Sequence, residues 1–462
     1  MSYFDEAIET LPREQLAALQ LQKLQAMLAE LWQRNPFYTR KWQAAGVQPA
    51  DIRSLDDLVR LPFTGKAELM DDQAAHGPFG SNLTYPLEDY VRLHQTSGTT
   101  GAPLKVMDTH ESWDWWGRCW GHVLAGAGIT PTDRLFMAFA FGPFIGFWAA
   151  VEGARKIGAI MIPGGGRDSQ QRLELMREAG ATVLCCTPTY ALRLAEVAHE
   201  IGFDVGTIPI KATVHAGEPG ANVPATKQRI EAAWSAKCFD HAGASEVGAH
   251  SFECHVQPGG THLIESEYIA EVIDPLSGEA IAPGERGELV ITNLGRWGFP
   301  VIRYRTGDLV RVNLARCSCG RTALRFEGGI LGRVDDMVTV RGVNVFPAAV
   351  ENIIRKFAEV AEFRVTVRKV KQMDEMDIEV ELCEGAEPQV VHEIAIKLDS
   401  MLAFRPRVHH VGHNALPRFE MKAKRFHVQL EAGEPAPPLQ AEPPSGDGDT
   451  RQRPASAGPR KT

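Results

Sequence analysis

From Tyr90 to about Ile330 the chain alternates short β-branched or aromatic runs with amphipathic helical stretches, and this rhythm constrains its fold more than any other feature. Arg134–Ala140, Ala159–Pro163 and Thr182–Thr187 read as strands, with Phe147–Ile157 and Gln170–Ala179 between them as helices. Parallel neighbours in a sheet need a long crossover, and a helix supplies it. The region is therefore predicted to be an α/β unit of βαβ pieces around mainly parallel sheets with flanking helices. Ligands of such sheets gather beyond the carboxyl ends of the strands, so the loops that follow strands are where function is sought.

At 462 residues the chain exceeds one ordinary core, and more than one folded unit is expected. The alternation breaks near Gly332-Arg333-Val334-Asp335-Asp336. Beyond it, Met337–Arg341, Phe363–Val370 and Ile378–Leu382 read as strands, and Pro347–Phe357 and Val390–Leu402 as helices. The predicted division is a large N-terminal domain over 1–331, a small mobile α+β domain over 332–430, and a disordered tail over 431–462. The tail is rich in Pro, Gly, Ala, Ser and charge, with too little apolar surface to offset its ordering entropy.

A formal charge of −9 without basic stripes or acidic blocks argues against nucleic acid as a partner. Leu16 to Trp42 has helical amphipathic spacing rather than the apolar core of a signal peptide. Phe136–Val151, the most apolar stretch, is shorter than a membrane span and is interrupted by Gly142, Pro143 and Gly146. The eight cysteines lack the dense spacing of a secreted disulfide framework. A cytoplasmic protein that acts on small molecules away from the membrane is expected, with a homodimer admissible.

The strongest local signal is Thr96-Ser97-Gly98-Thr99-Thr100-Gly101-Ala102-Pro103, directly after the strand-like Tyr90–His94. Glycines let the backbone turn its N–H groups toward one point and the hydroxyls add donors, a cradle for polyphosphate. It is not a Walker loop, because no Gly-Lys-Ser/Thr ending follows. A run of aromatic residues, Phe141-Gly142-Pro143-Phe144-Ile145-Gly146-Phe147-Trp148, follows the strand at 135–140 and suits a flat apolar ligand. Cys317-Ser318-Cys319, Cys254-His255 and His262 offer three thiols and one or two imidazoles, a plausible tetrahedral zinc set. Cys254, His262, Cys317 and Cys319 are the expected ligands, with His255 in reserve. His409, His410 and His413 lack an acidic or thiol partner and are read as surface or packing residues.

Together these motifs resemble the phenylacetate-CoA ligase branch of the adenylate-forming superfamily, over about Pro62 to Lys424. The resemblance implies ATP, Mg²⁺ and coenzyme A as cofactors, an aromatic carboxylic acid as substrate, and an acyl-adenylate intermediate that passes to a thiol. A carrier protein's phosphopantetheine is the alternative acceptor, and a nucleotide-binding protein without turnover the third reading. Lys66 resembles a lysine that approaches the phosphates. Ala216-Gly217-Glu218-Pro219 resembles the adenine-side segment, with Ala216 also on the acyl side beside Phe141, Phe144 and Phe147. Asp240-His241-Ala242-Gly243-Ala244-Ser245-Glu246 ends in the glutamate that helps hold Mg²⁺. The family's usual aromatic before the glycine is Ala242 here, which leaves His241 or a residue from elsewhere to stack on adenine. Asp308 resembles the ribose-binding aspartate, Arg333 a nucleotide-side arginine, Asp335 the hinge, and Arg341–Pro347 the segment that swings in for thioester formation. Lys422 resembles the lysine that bridges the carboxylate and the α-phosphate, with Lys424 as the alternative.

Overall fold

The computed structural model describes residues 2–96, 102–143, 145–146, 148–336, 338–340, 343–370, 373–402, 404–419 and 423–429. Ser97–Gly101, Phe144, Phe147, Arg341, Gly342, Lys422 and the tail from 431 lie outside the described residues.

The N-terminal part holds helices α1 (Glu6–Glu9), α2 (Arg13–Arg34), α3 (Pro36–Ala44) and α4 (Lys66–Ala75). The amphipathic stretch at 16–42 is thus two helices. Pro36 cannot continue α2, and Asn35 caps α3 by accepting the Tyr38 N–H at 3.1 Å. A hairpin of β1 (Tyr90–Gln95) and β2 (Lys105–Thr109) leads into α5 (His110–Gly126). There follow β3 (Arg134–Met137), α6 (Trp148–Ile157), β4 (Ile160–Pro163), α7 (Ser169–Glu178), β5 (Val183–Cys186), α8 (Pro188–Glu200), β6 (Ala212–His215), α9 (Pro224–Trp234) and β7 (Lys237–Ala244).

These strands pair in parallel in the order β4-β3-β5-β6-β7. Successive side chains alternate between two cores, as the pleat requires. Leu135, Met137, Val183, Cys185, Ala212 and Val214 face the core that contains α5 and α6. Phe136, Leu184 and Cys186 face the core built with α7, α8 and α9. Helices α5 and α6 approach closely because Gly153 has no side chain: a Cβ there would lie 2.5 Å from the Trp120 Cβ.

The sheet continues beyond β7, but the parallel portion ends there. β8 (Gly248–Glu253), β9 (Gly260–Leu263), β10 (Tyr268–Ile273), β11 (Arg286–Asn293), β12 (Tyr304–Asn313), β13 (Arg325–Glu327) and β14 (Gly332–Arg333) are antiparallel. They extend the order to β10-β11-β12-β13-β9-β8-β7, with β14 beside β12. The α/β class holds, while the second half of the sheet departs from the parallel expectation because its connections are short and carry no crossover helix. Gly332–Arg333 still pairs with Leu309 and Asp308, so the large sheet reaches two residues past the expected boundary.

The smaller unit contains the hairpin β15 (Val338–Val340) and β16 (Val343–Val345), α10 (Pro347–Ile354), β17 (Val360–Val370), β18 (Met373–Leu382), α11 (Gln389–Leu402), β19 (Arg407–Val411) and β20 (Phe426–Gln429). Its sheet runs β19-β18-β17-β20, and Val350, Ile354, Phe363, Ile378, Ile394 and Leu398 fill its own core. This is the α+β unit expected from the sequence. No described helix is long and apolar enough to cross a membrane.

Candidate active site

The base of the glycine-rich loop is closed by hydrogen bonds. Thr96 N–H donates to Leu104 O at 2.9 Å, and Leu104 N–H donates to Thr96 Oγ1 at 3.0 Å. Gln95 N–H reaches Pro143 O at 2.9 Å, which ties that base to the aromatic run. Phe141 packs against Phe139 and Trp148, with ring centroids 4.6 Å apart in both pairs. The Trp148 indole N–H donates to Gly142 O at 3.1 Å, so this wall is braced by its own backbone. Ala216, at the carboxyl end of β6, is half-buried against the same core.

Glu246 follows β7 in the turn to β8 and is buried. One of its carboxylate oxygens accepts the Tyr304 hydroxyl at 2.8 Å. Burial, then the Glu246 charge, pushes the Tyr304 phenol well above its ordinary pKa, so it stays a donor. Tyr304 follows Arg303, a non-glycine residue at φ 46°. That conformation is uncommon and persists only where its surroundings fix it. Here they do: the Arg303 guanidinium grips Glu271 at 2.7 Å and donates to Val59 O at 2.9 Å and Leu61 O at 2.7 Å. Thr64 forms a parallel bridge with Tyr304, which sets Lys66 two residues beyond, at the start of α4.

The backbone around Glu246 is held by Arg296, which is fully buried. Its Nη1 donates to Ser245 O at 2.7 Å and to Glu246 O at 3.1 Å. Its Nε and Nη2 meet both oxygens of the equally buried Asp108 at 2.7 Å. Asp108 lies on β2, the strand that follows the glycine-rich stretch, so one ion pair joins that strand to the backbone of the glutamate.

Asp308 on β12 is a fifth exposed and meets Arg333 Nη1 at 3.2 Å. Burial raises its carboxyl to about 7 although Arg333 opposes the shift. Arg333 also forks onto Asp335, at 2.8 and 3.1 Å. Asp308, Arg333 and Asp335 are therefore one cluster at the junction of the two units.

Asp240 and His241 point to opposite faces of β7. Burial, with the neighbouring Glu253 charge, raises the Asp240 carboxyl to about 7. The His241 ring is buried in the core, 4.5 Å from Trp120, with Nδ1 facing Ser251 O at 2.9 Å. Burial lowers its pKa to about 4. That placement removes His241 as a stacking surface for adenine and corrects the expectation that grouped it with the nucleotide residues. The strand's period of two turns residue 241 inward when 240 and 242 face the other way. Gly217 takes φ 98°, a left-handed turn that suits glycine. Both Glu218 oxygens are engaged by main-chain donors, Thr189 N–H at 3.0 Å and Ala423 N–H at 2.7 Å. Pro219 is exposed after them.

A second cluster lies elsewhere. Cys254, His262, Cys317 and Cys319 are all buried, and their ligand atoms lie within 4.8 Å of one another. The sulfurs of Cys254 and Cys317 are 3.6 Å apart, and Cys319 Sγ is 3.5 Å from His262 Nε2. His255 turns away to Gly126 O at 3.1 Å. The N-terminus straps this cluster: Tyr3 OH donates to Cys319 O at 2.6 Å, and Glu9 pairs with Arg321.

Among the described residues, Ala216 and Glu246 follow β6 and β7, Asp308, Arg333 and Asp335 lie together at the junction of the units, and the thiol set is separate. Sequence reasoning gave no role to Tyr304, although it lies only four residues before Asp308. It also missed Arg296 and Asp108, which no local pattern marks, because their pairing spans the chain from 108 to 296.

A glycine-rich loop base, a buried glutamate and an aspartate–arginine pair at the junction of a large α/β unit and a small α+β unit agree with an adenylate-forming type of enzyme. Residues 40–295 match the AMP-binding enzyme family, and residues 342–428 match the AMP-binding enzyme C-terminal domain. The phenylacetate-coenzyme A ligase of Thermus thermophilus is 35% identical over 85% of this chain and 87% of its own. That of Escherichia coli is 34% identical over 91% of this chain and 96% of its own. The crystal structure of 2-hydroxyisobutyryl-CoA ligase in the postadenylation state superposes with a TM-score of 0.88, at 31% identity over 92% of each chain. In the thioesterification state the TM-score is 0.70. The chain belongs to the AMP-binding enzymes, in their phenylacetate-CoA ligase branch, and is an ATP-dependent, AMP-forming acid–CoA ligase.

Proposed function

We propose that the chain activates an aromatic carboxylic acid, smaller than or shaped differently from phenylacetate, and transfers it to coenzyme A. The observation that carries this is the braced aromatic wall of Phe141 and Trp148, tied by Gln95 to the base of the phosphate loop. Such a wall buries a flat ring while the loop end holds the phosphates. The relatives named for phenylacetate support an aromatic substrate, and the bulk of Trp148 supports the change of shape.

The acid and the α-phosphate of ATP are both anions, so the site must gather positive charge and donors where they meet. Lys422 is assigned that junction, with Lys66 and the loop from Thr96 to Gly101 on the outer phosphates. Glu246 fits Mg²⁺, because a carboxylate is the hard oxygen donor this ion takes and Tyr304 occupies one of its oxygens. The bound ion would supply charge neutralisation at the phosphates. Asp308 accepts the two ribose hydroxyls, Arg333 orients Asp308, and Ala216, Gly217, Asp240 and Ala242 border the base. The small domain then turns about Asp335 and brings the 341–347 segment to the thiol.

The thiol cluster fits a structural Zn²⁺. With Zn–S near about 2.3 Å and Zn–N near about 2.0–2.1 Å, a tetrahedron sets S···S at about 3.8 Å and S···N at about 3.6 Å. The distances of 3.6 and 3.5 Å agree.

Pyrophosphate release from a panel of carboxylic acids, with and without coenzyme A, tests the substrate and the acceptor. Turnover of benzoate-like acids with coenzyme A is expected, and turnover of aliphatic acids alone would refute the aromatic reading. Lys422→Ala should abolish ATP–pyrophosphate exchange yet form thioester from supplied acyl-adenylate. Equal loss of both half-reactions would remove Lys422 from its role.

A further inference from the structure

Arg418, Ala423 and Arg425, which flank Lys422 in the chain, contact side chains and backbone of the large domain that have no part in the chemistry assigned above. On one side, Ala423 N–H donates to Glu218 Oε2 at 2.7 Å, while Glu218 Oε1 accepts Thr189 N–H at 3.0 Å in the first turn of α8. Arg425 adds a longer contact to Thr189 Oγ1 at 3.4 Å. On the other side, Arg418 Nε reaches Glu196 Oε1 at 3.1 Å, further along the same helix. Arg418 also stays with its own domain, through the fully buried Glu381 at 2.5 Å.

We propose that Glu218 is a positioning residue: with the face of α8 it holds Ala423 and Arg418 in place for adenylation and so sets how often Lys422, between them in the chain, reaches the junction of acid and phosphate. This rests on the role given to Lys422 above. A single carboxylate here joins two main-chain amides, one from each domain. Hydrogen bonds to a charged acceptor are about twice as strong as neutral ones. Both amides can take water instead, so the grip is releasable, as a domain that must turn between two reactions requires. The overall match to the postadenylation arrangement of 2-hydroxyisobutyryl-CoA ligase is what such a docked state should show.

The test separates the half-reactions in the full-length protein. Glu218→Gln keeps the shape and one acceptor but removes the charge and presents an amide group to one of the N–H donors. ATP–pyrophosphate exchange should slow about tenfold, corresponding to the loss of one charge-assisted hydrogen bond. The KM for ATP should stay within about twofold, and thioester formation from supplied acyl-adenylate should be unchanged or faster. Glu196→Gln, at a more exposed contact, should shift the first half-reaction the same way by about twofold. A raised KM for ATP with unchanged kcat would make Glu218 a nucleotide ligand and overturn the proposal. Equal slowing of both half-reactions, or no change in either variant, would overturn it as well. Lys422→Ala measured alongside distinguishes the failures. If it retains exchange, the role of Lys422 itself is wrong; if it abolishes exchange while Glu218→Gln does not slow it, only the positioning inference fails.

Discussion

Removing the Arg296 side chain should be among the most damaging single changes in the large domain. Arg296 and Asp108 are both fully inaccessible to solvent, joined by two 2.7 Å hydrogen bonds. Arg296→Met keeps much of the volume but leaves the Asp108 carboxylate buried without a cation. Breaking a buried pair in this way costs about 3–5 kcal/mol. At about 2–4 °C per kcal/mol, the melting temperature should fall by roughly 6–20 °C. The same change removes the donors to Ser245 O and Glu246 O, so ATP–pyrophosphate exchange should fall even at temperatures where the variant is folded. Calorimetry of Arg296→Met, Asp108→Asn and the double variant forms a cycle. The double variant should be more stable than Arg296→Met by at least about 1 kcal/mol, because the stranded charge is gone. Arg296→Lys should fall between, since a lysine restores the charge but not the fork. A melting temperature for Arg296→Met within about 2 °C of wild type would refute this reasoning. So would a double variant no more stable than the single one.

Two further outcomes follow from the site's electrostatics and from the thiol cluster. Without nucleotide, burial holds the Asp308 carboxyl near 7, above its ordinary 3.8. The folded state therefore holds this proton more tightly than the unfolded chain does. The stability it contributes is complete below about 3.8 and is lost as pH rises toward 7. Ribose recognition runs the other way, because only the carboxylate accepts two hydroxyls: the KM for ATP should fall by up to about tenfold per pH unit below 7 and level off above it. Asp308→Asn should flatten that profile, and a flat wild-type profile would count against the assignment. Protein purified without chelator should carry about one equivalent of zinc, lost together with thermal stability in Cys319→Ser. Deleting residues 2–11 should weaken retention too, since Tyr3 and Glu9 brace Cys319 and Arg321. Less than about half an equivalent by elemental analysis would argue against the site.

What the sequence disclosed and what it hid divide along one physical line. Local periodicity marked β3, α6, β4, α7 and β5 because each reads its pattern within a few residues. It could not show that β8 to β14 run antiparallel, since pairing partners such as Arg325 and His262 lie far apart in the chain. The family motifs pointed to Asp308, Arg333 and Asp335, which the fold pairs with one another, and to Glu246, which it buries against Tyr304. His241 was misjudged because a motif gives a residue's neighbourhood and not the face of the strand on which it lands. The thiol and imidazole set was legible because such groups have few alternative uses, and the fold brings His262 to the three thiols while His255 turns to Gly126 O.

The contacts of the two domains differ in a way that suits a two-step ligase. Glu246 is backed by the fully buried pair of Arg296 with Asp108, and Tyr304 by Arg303 on the partly buried Glu271. Breaking a buried pair of this kind by removing one partner is costly. The contacts that must change are wetter. Arg333 and Asp335 are 43% and 64% exposed, and the Glu196 side chain that meets Arg418 is 35% exposed. Exposed pairs are each worth about 0–1 kcal/mol, so releasing several of them stays within what the binding of a thiol substrate can offset. Buried charge thus lies behind Glu246 and exposed pairs lie at the junction of the two units, and Glu218 meets Ala423 across that junction.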